Sequence, residues 1–319
     1  MTFSRRAFVA ALAAAATVPT AARGAGRTLA IGQVPSTLFA PFYVAIARGY
    51  LARAGFTPVV QRIGSGEEAM ALLANGQLDV VLGGISAATF NAVQRGFNVK
   101  ILSSAAYQPH QGHPSALLVR TDLYAAGLTT PAGLKGRSIA FLGGKGATGA
   151  YYVTLVLRSA GLTLPDLEVR SLASPDQGPA LARHAIDAVF SAAPFTTSFE
   201  EQRLAREIAA PPPGISCTAS FIGPTLIADA RAARAVRSAF VQGARDLQGE
   251  AFYDAANLEI FQSYTKLPIA VLKAMPRYDY DPELRVDTKT LADMQRVFSS
   301  LGVLAYTTPI KTDELIAAL

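Results

Sequence analysis

The sequence has few of the residues that form covalent cross-links, metal sites or nucleophiles. It contains one cysteine, three histidines and no tryptophan among 319 residues. A single cysteine excludes an intramolecular disulfide, and no Cys/His motif surrounds Cys217, which we interpret as a small buried apolar residue. His110 and His113 are separated by two residues on a Pro-flanked loop without a third ligand in sight, so we predict a hinge or cleft role for His113 rather than a metal site.

Long apolar runs and a strong excess of one charge are also missing. The formal net charge is +6, and three arginines near the start (Arg5, Arg6 and Arg23) contribute to it, so about +3 remains without them. That charge is too small and too scattered to indicate a nucleic-acid surface. No segment after the first 25 residues reaches the length of about 20 apolar residues that a membrane-spanning helix needs.

The first 25 residues read as an export signal. Residues 4–8, Ser-Arg-Arg-Ala-Phe, form a twin-arginine motif, and residues 9–18 are an apolar run that ends in small residues suited to signal peptidase. An ordinary secretion signal is the alternative interpretation of Arg5 and Arg6, and both place the chain outside the cytoplasm. We therefore predict a signal peptide over residues 1–25 and a soluble periplasmic protein.

The rest of the chain alternates short apolar strands with amphipathic helices, which is typical of parallel βα units. Four strands are predicted before residue 106, and the alternation restarts at residue 137 after a Pro/Gly-containing stretch. We expect an α/β fold of two doubly wound lobes, with a hinge and an interlobe cleft where a ligand binds. The chain crossovers are placed near residues 113–117 and 221–225, so the first lobe comprises residues 26–114 and 224–319, and the second comprises residues 115–223.

The stretch from Ile31 to Leu51 resembles the opening of substrate-binding proteins of the sulfonate, nitrate and thiamine-pyrimidine-precursor group of ABC importers. In that group a strand leads through a ligand loop into a helix with a recurrent pattern. The matching positions here are Pro41, Tyr43, Val44, Ala45, Gly49, Tyr50, Leu51 and Gly55. Further similar segments follow in the same order up to about residue 265. The resemblance implies the fold of a type 2 periplasmic binding protein, but it does not specify a ligand.

Loops that follow strands in the first lobe are the expected ligand contacts, because open parallel sheets bind ligands at the carboxyl ends of their strands. Serines at helix starts can donate to an anionic or carbonyl oxygen, although each serine can equally be a plain helix cap. Phe39 and Tyr107 would supply an aromatic wall, although each can also be a core residue. The predicted ligand contacts of this lobe are Ser36, Thr37, Phe39, Ser65, Gly84, Ser86 and Tyr107.

In the second lobe, a glycine-rich loop over residues 143–149 joins a strand to a helix and can present N–H groups across the cleft. The predicted contacts there are Gly144, Lys145, Gly146 and Thr148. Residues 191–195 lie where several relatives carry an aromatic or acidic residue before a proline. This chain has alanines instead, which favours a roomier apolar pocket in which Phe195 stacks on the ligand.

The glycine-rich loop also fits a dinucleotide fingerprint, so an exported NAD(P)-dependent oxidoreductase is the rival interpretation. Against it, the acidic residue Glu168 lies inside the next strand, and no catalytic constellation accompanies the loop. A periplasmic ligand sensor and a pyrimidine-precursor synthase are further alternatives. We predict a non-enzymatic solute-binding component of an ABC importer, without cofactor or metal. It would act as a monomer that binds a small anionic or heteroaromatic molecule, such as a sulfonate, carboxylate or vitamin precursor, and docks on an inner-membrane permease.

Overall fold

The computed structural model describes residues 26–63 and 66–319. The predicted signal peptide and the predicted contact Ser65 lie outside these residues. Within the described part of the chain, none of the helices combines the length and apolar composition needed to cross a bilayer.

Five strands form the first sheet, in the order β2-β1-β3-β10-β4. Their bounds are Arg27–Gln33 (β1), Phe56–Arg62 (β2), Val80–Gly84 (β3), Lys100–Ser104 (β4) and Thr218–Ile222 (β10). Strands β1, β2 and β3 are parallel, as the βα pattern predicts, whereas β10 is antiparallel to both β3 and β4.

Five further strands form the second sheet, in the order β7-β6-β8-β5-β9. Their bounds are Ser115–Arg120 (β5), Ser138–Phe141 (β6), Glu168–Ser171 (β7), Ala188–Ala192 (β8) and Ala205–Ala209 (β9). β6 is parallel to β7 and β8, while β5 is antiparallel to β8 and β9. The expected α/β fold with two helix-flanked sheets is confirmed.

The return to the first sheet occurs earlier than the sequence analysis predicted. β10 is a member of the first sheet, so the chain has crossed back before Thr218 rather than at residues 221–225. The predicted boundary after residue 223 is therefore late by one strand. Because β10 is antiparallel and follows a proline-rich stretch, the parallel βα pattern gives no signal of the sheet to which it belongs.

The helices surround both sheets. Their bounds are Ala40–Ala47 (α1), Tyr50–Arg53 (α2), Gly66–Ala74 (α3), Ala87–Gln94 (α4), Thr121–Ala125 (α5), Thr148–Arg158 (α6), Ser174–Ala182 (α7), Phe195–Glu201 (α8), Pro224–Ile227 (α9), Ala230–Arg245 (α10), Ala255–Thr265 (α11), Ile269–Ala274 (α12) and Thr288–Ser300 (α13). The single helix predicted over residues 40–54 is divided in two, because Gly49 adopts a left-handed conformation with φ of +70° that ends α1.

We define the first lobe as the first sheet with α1–α4 and α9–α12, and the second lobe as the second sheet with α5–α8. Helix α13 packs against α4 of the first lobe and α6 of the second. In the first lobe α10 lies very close to α1: a Cβ atom at Gly243 would be 2.0 Å from the Pro41 carbonyl oxygen. Phe42 and Phe240 meet edge to face beside this contact, with ring centroids 4.7 Å apart.

The buried apolar residues form three clusters that follow the faces of the sheets. One cluster fills the α1/α10 face of the first sheet, and another fills the α7/α8 face of the second. The third cluster runs through both lobes: it includes Phe90 of α4, Tyr152 of α6 and Phe298 of α13. The lobes therefore share a hydrophobic core on one face of the sheets, and their cores are separate on the other face.

Candidate functional site

The two lobes meet at the carboxyl ends of β3 and β6. Thr148, the first residue of α6, donates a hydrogen bond from its Oγ1 to the carbonyl oxygen of Ile85 in the first lobe, over 2.8 Å. Gly84 makes this approach possible, since a Cβ atom there would be 2.3 Å from Thr148 Oγ1. A Cβ atom on Gly146 would likewise be 3.5 Å from Cβ of Ala87, at the start of α4. The amino-terminal ends of α4 and α6 therefore meet at what we call the Gly84–Thr148 contact.

Several buried polar atoms near strand ends of both sheets have no hydrogen-bond partner in the described structure. They are Oε1 of Gln33, Oγ1 of Thr37 and of Thr121, and the hydroxyl oxygens of Ser104 and Ser191. Thr121 follows β5, which is antiparallel to β8, so it lies at the opposite edge of the second sheet from Ser191. Gln33 and Ser104 are the last residues of β1 and β4, Thr37 follows β1, and Ser191 is next to last in β8. Because buried polar atoms nearly always have partners, unpartnered ones at the edge where α/β sheets bind ligands mark a candidate ligand site.

The three predicted contacts in the loop after β1 differ in what their side chains do: one caps a helical turn, one is buried without a hydrogen-bond partner, and one packs in the core. Ser36 caps a short 3-10 turn over Thr37–Phe39: its Oγ accepts a hydrogen bond from the Leu38 N–H over 3.3 Å. Thr37 is buried, and its Oγ1 lacks a partner. Phe39 is only 2 % exposed and packs in the core of the first lobe. Phe39 is thus a core residue rather than part of an open aromatic wall.

Two further predicted ligand contacts, Ser86 and Tyr107, make hydrogen bonds within the protein. Ser86 is the N-cap residue of α4, and its backbone N–H donates to Thr89 Oγ1 over 3.4 Å. Tyr107 is half-buried, and its hydroxyl donates to the Arg285 carbonyl oxygen over 2.6 Å. Burial raises the pKa of the Tyr107 hydroxyl, which therefore stays neutral near pH 7. In this arrangement the Tyr107 hydroxyl hydrogen is already used within the protein.

The glycine-rich loop of the second lobe lies at the lobe boundary, where Gly146 approaches Ala87 of the first lobe. Gly143 and Gly144 have φ values of +80° and +65°, which glycine adopts without strain, and Gly144–Gly146 form a 3-10 turn. Thr148 uses its hydroxyl hydrogen on Ile85, as described above. Lys145 is exposed. The loop therefore offers backbone groups to the boundary, while its one charged side chain is in solvent.

Phe195 lies apart from the glycine-rich loop, on the other face of the second sheet. It is the first residue of α8 and lines a groove of about 460 Å³ whose opposite wall is α12 with the residues next to it, including Leu267, Val271 and Met275. We call this the α8–α12 groove. It has one wall in each lobe.

A group of buried tyrosines, which the sequence analysis did not single out, supports the site from the first lobe. Tyr280 donates to the Thr37 carbonyl oxygen over 2.7 Å, and the Tyr43 hydroxyl accepts from the Ser36 N–H over 3.2 Å. The Tyr278 hydroxyl and Ser115 Oγ are 3.0 Å apart. Burial raises the pKa of Tyr278 to about 12 and holds the pKa of Tyr280 well above its ordinary value, so both hydroxyls are neutral near pH 7.

Sequence reasoning also missed Gln33, Ser104 and Ser191. A signal was present for them, because each is a polar residue at or next to the carboxyl end of a strand, where α/β sheets bind ligands.

Cys217 lies beside the Gly84–Thr148 contact, where its carbonyl oxygen accepts a hydrogen bond from the Ile85 N–H over 2.8 Å, but its thiol is not available as a nucleophile. Cys217 is fully buried, and burial raises the pKa of its thiol far above neutrality, so it has no thiolate character. His113 lies in the chain crossover, where its Nδ1 is 2.5 Å from Glu207 Oε1, and His184 is an exposed residue after α7. Within residues 26–63 and 66–319, no three His, Cys, Asp or Glu residues are grouped as a metal site requires.

The fold is that of the type 2 periplasmic binding proteins, as three solved structures illustrate. The alkanesulfonate-binding protein SsuA from Xanthomonas axonopodis pv. citri, bound to MOPS, is 18% identical with a TM-score of 0.70, covering 91% of this chain and 97% of that chain. The periplasmic nitrate-binding protein NrtA from Synechocystis PCC 6803 is 14% identical with a TM-score of 0.68, covering 89% and 83%. A mutant of DszB in complex with biphenyl-2-sulfinic acid is 16% identical with a TM-score of 0.61, covering 91% and 96%.

Residues 36–242 match the model of the NMT1/THI5 like family, and the chain belongs to that family. The sequence resemblance to substrate-binding proteins of this group is thereby confirmed. No curated protein matches the sequence. DszB is described as a desulfurization enzyme, so this fold carries both binding and catalysis, and the function of this chain must be argued from its own site.

Proposed function

We propose that this protein is the solute-binding component of an ABC importer, which binds a small organic anion between its lobes and delivers it to a membrane permease. The observation that carries the proposal is the set of unpartnered buried polar atoms at Gln33, Thr37, Ser104 and Ser191, contributed by strand ends of both sheets. A ligand that bonds to atoms of both lobes favours the closed arrangement over the open one, which is what a transport cargo must do.

The unpartnered side chains at the strand ends support an anionic ligand. The hydroxyls of Thr37, Ser104 and Ser191 are neutral donors that suit an oxyanion, whereas Oε1 of Gln33 is an acceptor that suits a hydroxyl or amide hydrogen of the ligand. SsuA and NrtA, whose printed ligands are sulfonate and nitrate, have the same fold.

The arrangement argues against a dinucleotide cofactor. In a dinucleotide site the pyrophosphate lies against the amino terminus of the helix after the glycine-rich loop. Here the carbonyl oxygen of Ile85 approaches that end of α6 and accepts the Thr148 hydrogen bond. Glu168 is at the start of β7 rather than after its end, where an acidic residue would bond to a ribose. Cys217 is buried and its thiol is neutral, which argues against a thiolate nucleophile.

Export to the periplasm and action as a monomer belong to the same proposal. The twin-arginine motif and the apolar run of residues 1–25 support export. A protein that delivers its cargo to a permease in the inner membrane must work on the outer side of that membrane.

The deciding experiment is a thermal-shift screen of the mature chain followed by calorimetry. The panel contains sulfonates, aliphatic and aromatic carboxylates, pyrimidines, amines and NAD(P), because a ligand that binds the native state raises the unfolding midpoint. We expect a shift with one class of small acid and none with NAD(P) or amines. A shift with NAD(P) alone would instead identify an oxidoreductase, and a shift with amines alone would refute the anionic ligand.

A further inference from the structure

Edge strands are the places where a sheet can pair with another chain, and three of the four in the described sheets carry protective residues. The edges are β2 and β4 in the first sheet and β7 and β9 in the second. A proline lies within β2, and charged side chains lie within β7 and β9: they are Pro58, Glu168, Arg170, Arg206 and Glu207. Proline and charge on an edge strand discourage edge-to-edge association, so these three edges are protected by their own sequences.

The fourth edge strand, β4, lacks this protection over most of its length. Its one charged residue, Lys100, is at its start, and the next four residues are Ile101, Leu102, Ser103 and Ser104. These four are uncharged and at most 3 % exposed. An uncharged edge with apolar residues is a ready template for pairing with a strand of another chain. β4 therefore depends on the rest of the molecule to cover its free side.

Residues 303–317, which come after α13, cover the start of β4, and we call them the 303–317 strap. Ile316 forms a parallel bridge with Ile101, and the Ala317 N–H donates to the Ile101 carbonyl oxygen over 2.9 Å. Just before this bridge, Leu315 is fully buried in the core cluster that runs through both lobes. The strap thus takes the place of a neighbouring strand at the start of β4.

Two side-chain amides hold the strap on helices α4 and α13. Asn91 of α4 donates to the Val303 carbonyl oxygen over 3.1 Å and accepts from the Ala305 N–H over 2.8 Å. Gln295 of α13 donates to the Ile310 carbonyl oxygen over 2.9 Å and accepts from the Ile310 N–H over 3.0 Å. Each amide bonds to the strap through both a donor and an acceptor, as the backbone of a strand does. The strap is therefore anchored before it reaches β4.

The other end of β4 is covered independently of the strap. There the Ser104 N–H donates to the Leu284 carbonyl oxygen over 3.1 Å, and Leu284 is fully buried. Leu284 lies in the segment between α12 and α13. Removing the end of the strap therefore uncovers only the start of β4, around Ile101.

We propose that the 303–317 strap is a protective cover that keeps the protein monomeric, and that the start of β4 beneath it is a pairing surface for a second copy of this chain. The partner is the same strand of the second copy, because two identical uncharged edges can pair antiparallel about a twofold axis, with each edge covering the other. This inference does not rest on the identity of the ligand, and it gives the monomeric state in the proposed function a structural cause.

The test is analytical ultracentrifugation of the mature chain and of two shortened chains over a range of protein concentrations. A chain without residues 316–319 keeps Leu315 and both amide anchors but loses the bond to Ile101, so its mass should double as the concentration rises. The matched control lacks only residues 318–319, which are exposed, and it keeps the Ala317 bond. The control and the natural sequence should both retain the mass of a single chain at every concentration.

Ala317→Pro is a second variant in case the first shortened chain does not fold, as circular dichroism would show. Proline has no backbone N–H, so the donor to Ile101 is lost in a chain of natural length, and the same doubling of mass is expected. Hydrogen exchange over β4 should slow in the dimer, because pairing covers the backbone of that strand. A single-chain mass in both variants would overturn the proposal, as would dimers of the control chain or a dimer in which exchange over β4 is unchanged.

Discussion

The two faces of the lobe boundary are built differently. On the α6 face, Asp293 of α13 accepts hydrogen bonds from Tyr151 and Arg158 of α6, both over 2.9 Å, and the hydrophobic core is continuous between the lobes. On the α8 face the cores are separate, and a groove lies between α8 and α12. The continuous face resists separation because opening it would expose buried apolar surface, so we expect the lobes to move mainly by opening at the α8 face.

The largest expected effect comes from a side chain at Gly84, which would push the two lobes apart at the Gly84–Thr148 contact. Gly84→Ala places a Cβ atom 2.3 Å from Thr148 Oγ1, so the closed arrangement becomes strained. We expect ligand affinity to fall by about tenfold to a hundredfold, the effect of overpacking a tight contact, as measured by calorimetry. Gly83→Ala is the control, because its Cβ atom would be at an ordinary distance of 3.6 Å from Val81 Cγ1. Partial recovery in the double variant Gly84→Ala/Thr148→Ala would identify the collision as the cause, and an unchanged affinity in Gly84→Ala would refute it.

A second variant weakens the α6 face through Asp293. Asp293→Asn removes the carboxylate shared by Tyr151, Arg158 and Arg296. Allowing for the exposure of both arginines, the free energy of unfolding should fall by about 1–2 kcal/mol in urea titrations. Glu259→Gln removes an equal charge from an exposed position of α11 and should change stability by less than about 0.5 kcal/mol. An equal loss in both variants would show that net charge, not the contact, is responsible.

The same carboxylate predicts an acid dependence of stability. Burial would raise the pKa of Asp293, but the hydrogen bonds from Arg158, Tyr151 and Arg296 outweigh it and hold the pKa below its ordinary value. The stabilisation is therefore complete above the unfolded pKa of about 4 and is lost as pH falls through the lower folded pKa. Unfolding titrations between pH 6 and pH 2 should show a shallower loss for Asp293→Asn than for the natural sequence, and parallel profiles would contradict this assignment.

A smaller effect is expected from the interlobe hydrogen bond itself. Thr148→Val keeps the shape of the side chain but cannot donate to Ile85, and one such bond contributes about 1 kcal/mol, or about fivefold in the population of the closed form. Calorimetry should show a loss of ligand affinity of that size with little change in the unfolding midpoint. Thr154→Val on the same helix is the control: its hydroxyl bonds to the Ala150 carbonyl oxygen within α6. The same loss of affinity in both variants would contradict a special role for Thr148.

The smallest effect is expected at Lys145. Its side chain is exposed on the glycine-rich loop, so Lys145→Ala should lower affinity by less than about threefold, and by less still as salt screens its charge. Calorimetry at two ionic strengths measures this directly. A loss above tenfold that persists in high salt would show that Lys145 turns inward and contacts the ligand.

The sequence was sufficient to predict the strands and helices, which depend on local residue patterns. It did not reveal the contacts between segments that are far apart in the chain. The apolar strands and glycine-ended helices gave the two α/β sheets, and the polar N-cap position of Ser86 marked the start of α4. The contact between Thr148 and Ile85 joins residues far apart in the chain, and no periodicity reports it. The same is true of the α8–α12 groove, since α12 reads only as a short helix until its place opposite Phe195 is known. Phe39 was wrongly assigned to a ligand wall, because the sequence pattern around an aromatic residue in a loop is the same whether its ring faces a ligand or the core.

The position of β10 has a consequence for how the chain folds. β4 is an edge strand whose only sheet neighbour among the described strands is β10, and all five strands of the second sheet lie between them in sequence. During synthesis, the second sheet is therefore complete before the first can be. Since pairing between distant segments is slow to form, the last strand to join the first sheet is expected to govern the time at which the whole molecule becomes native. A chain that stops short of Thr218 would leave β4 with an unpaired edge, open to association with other chains.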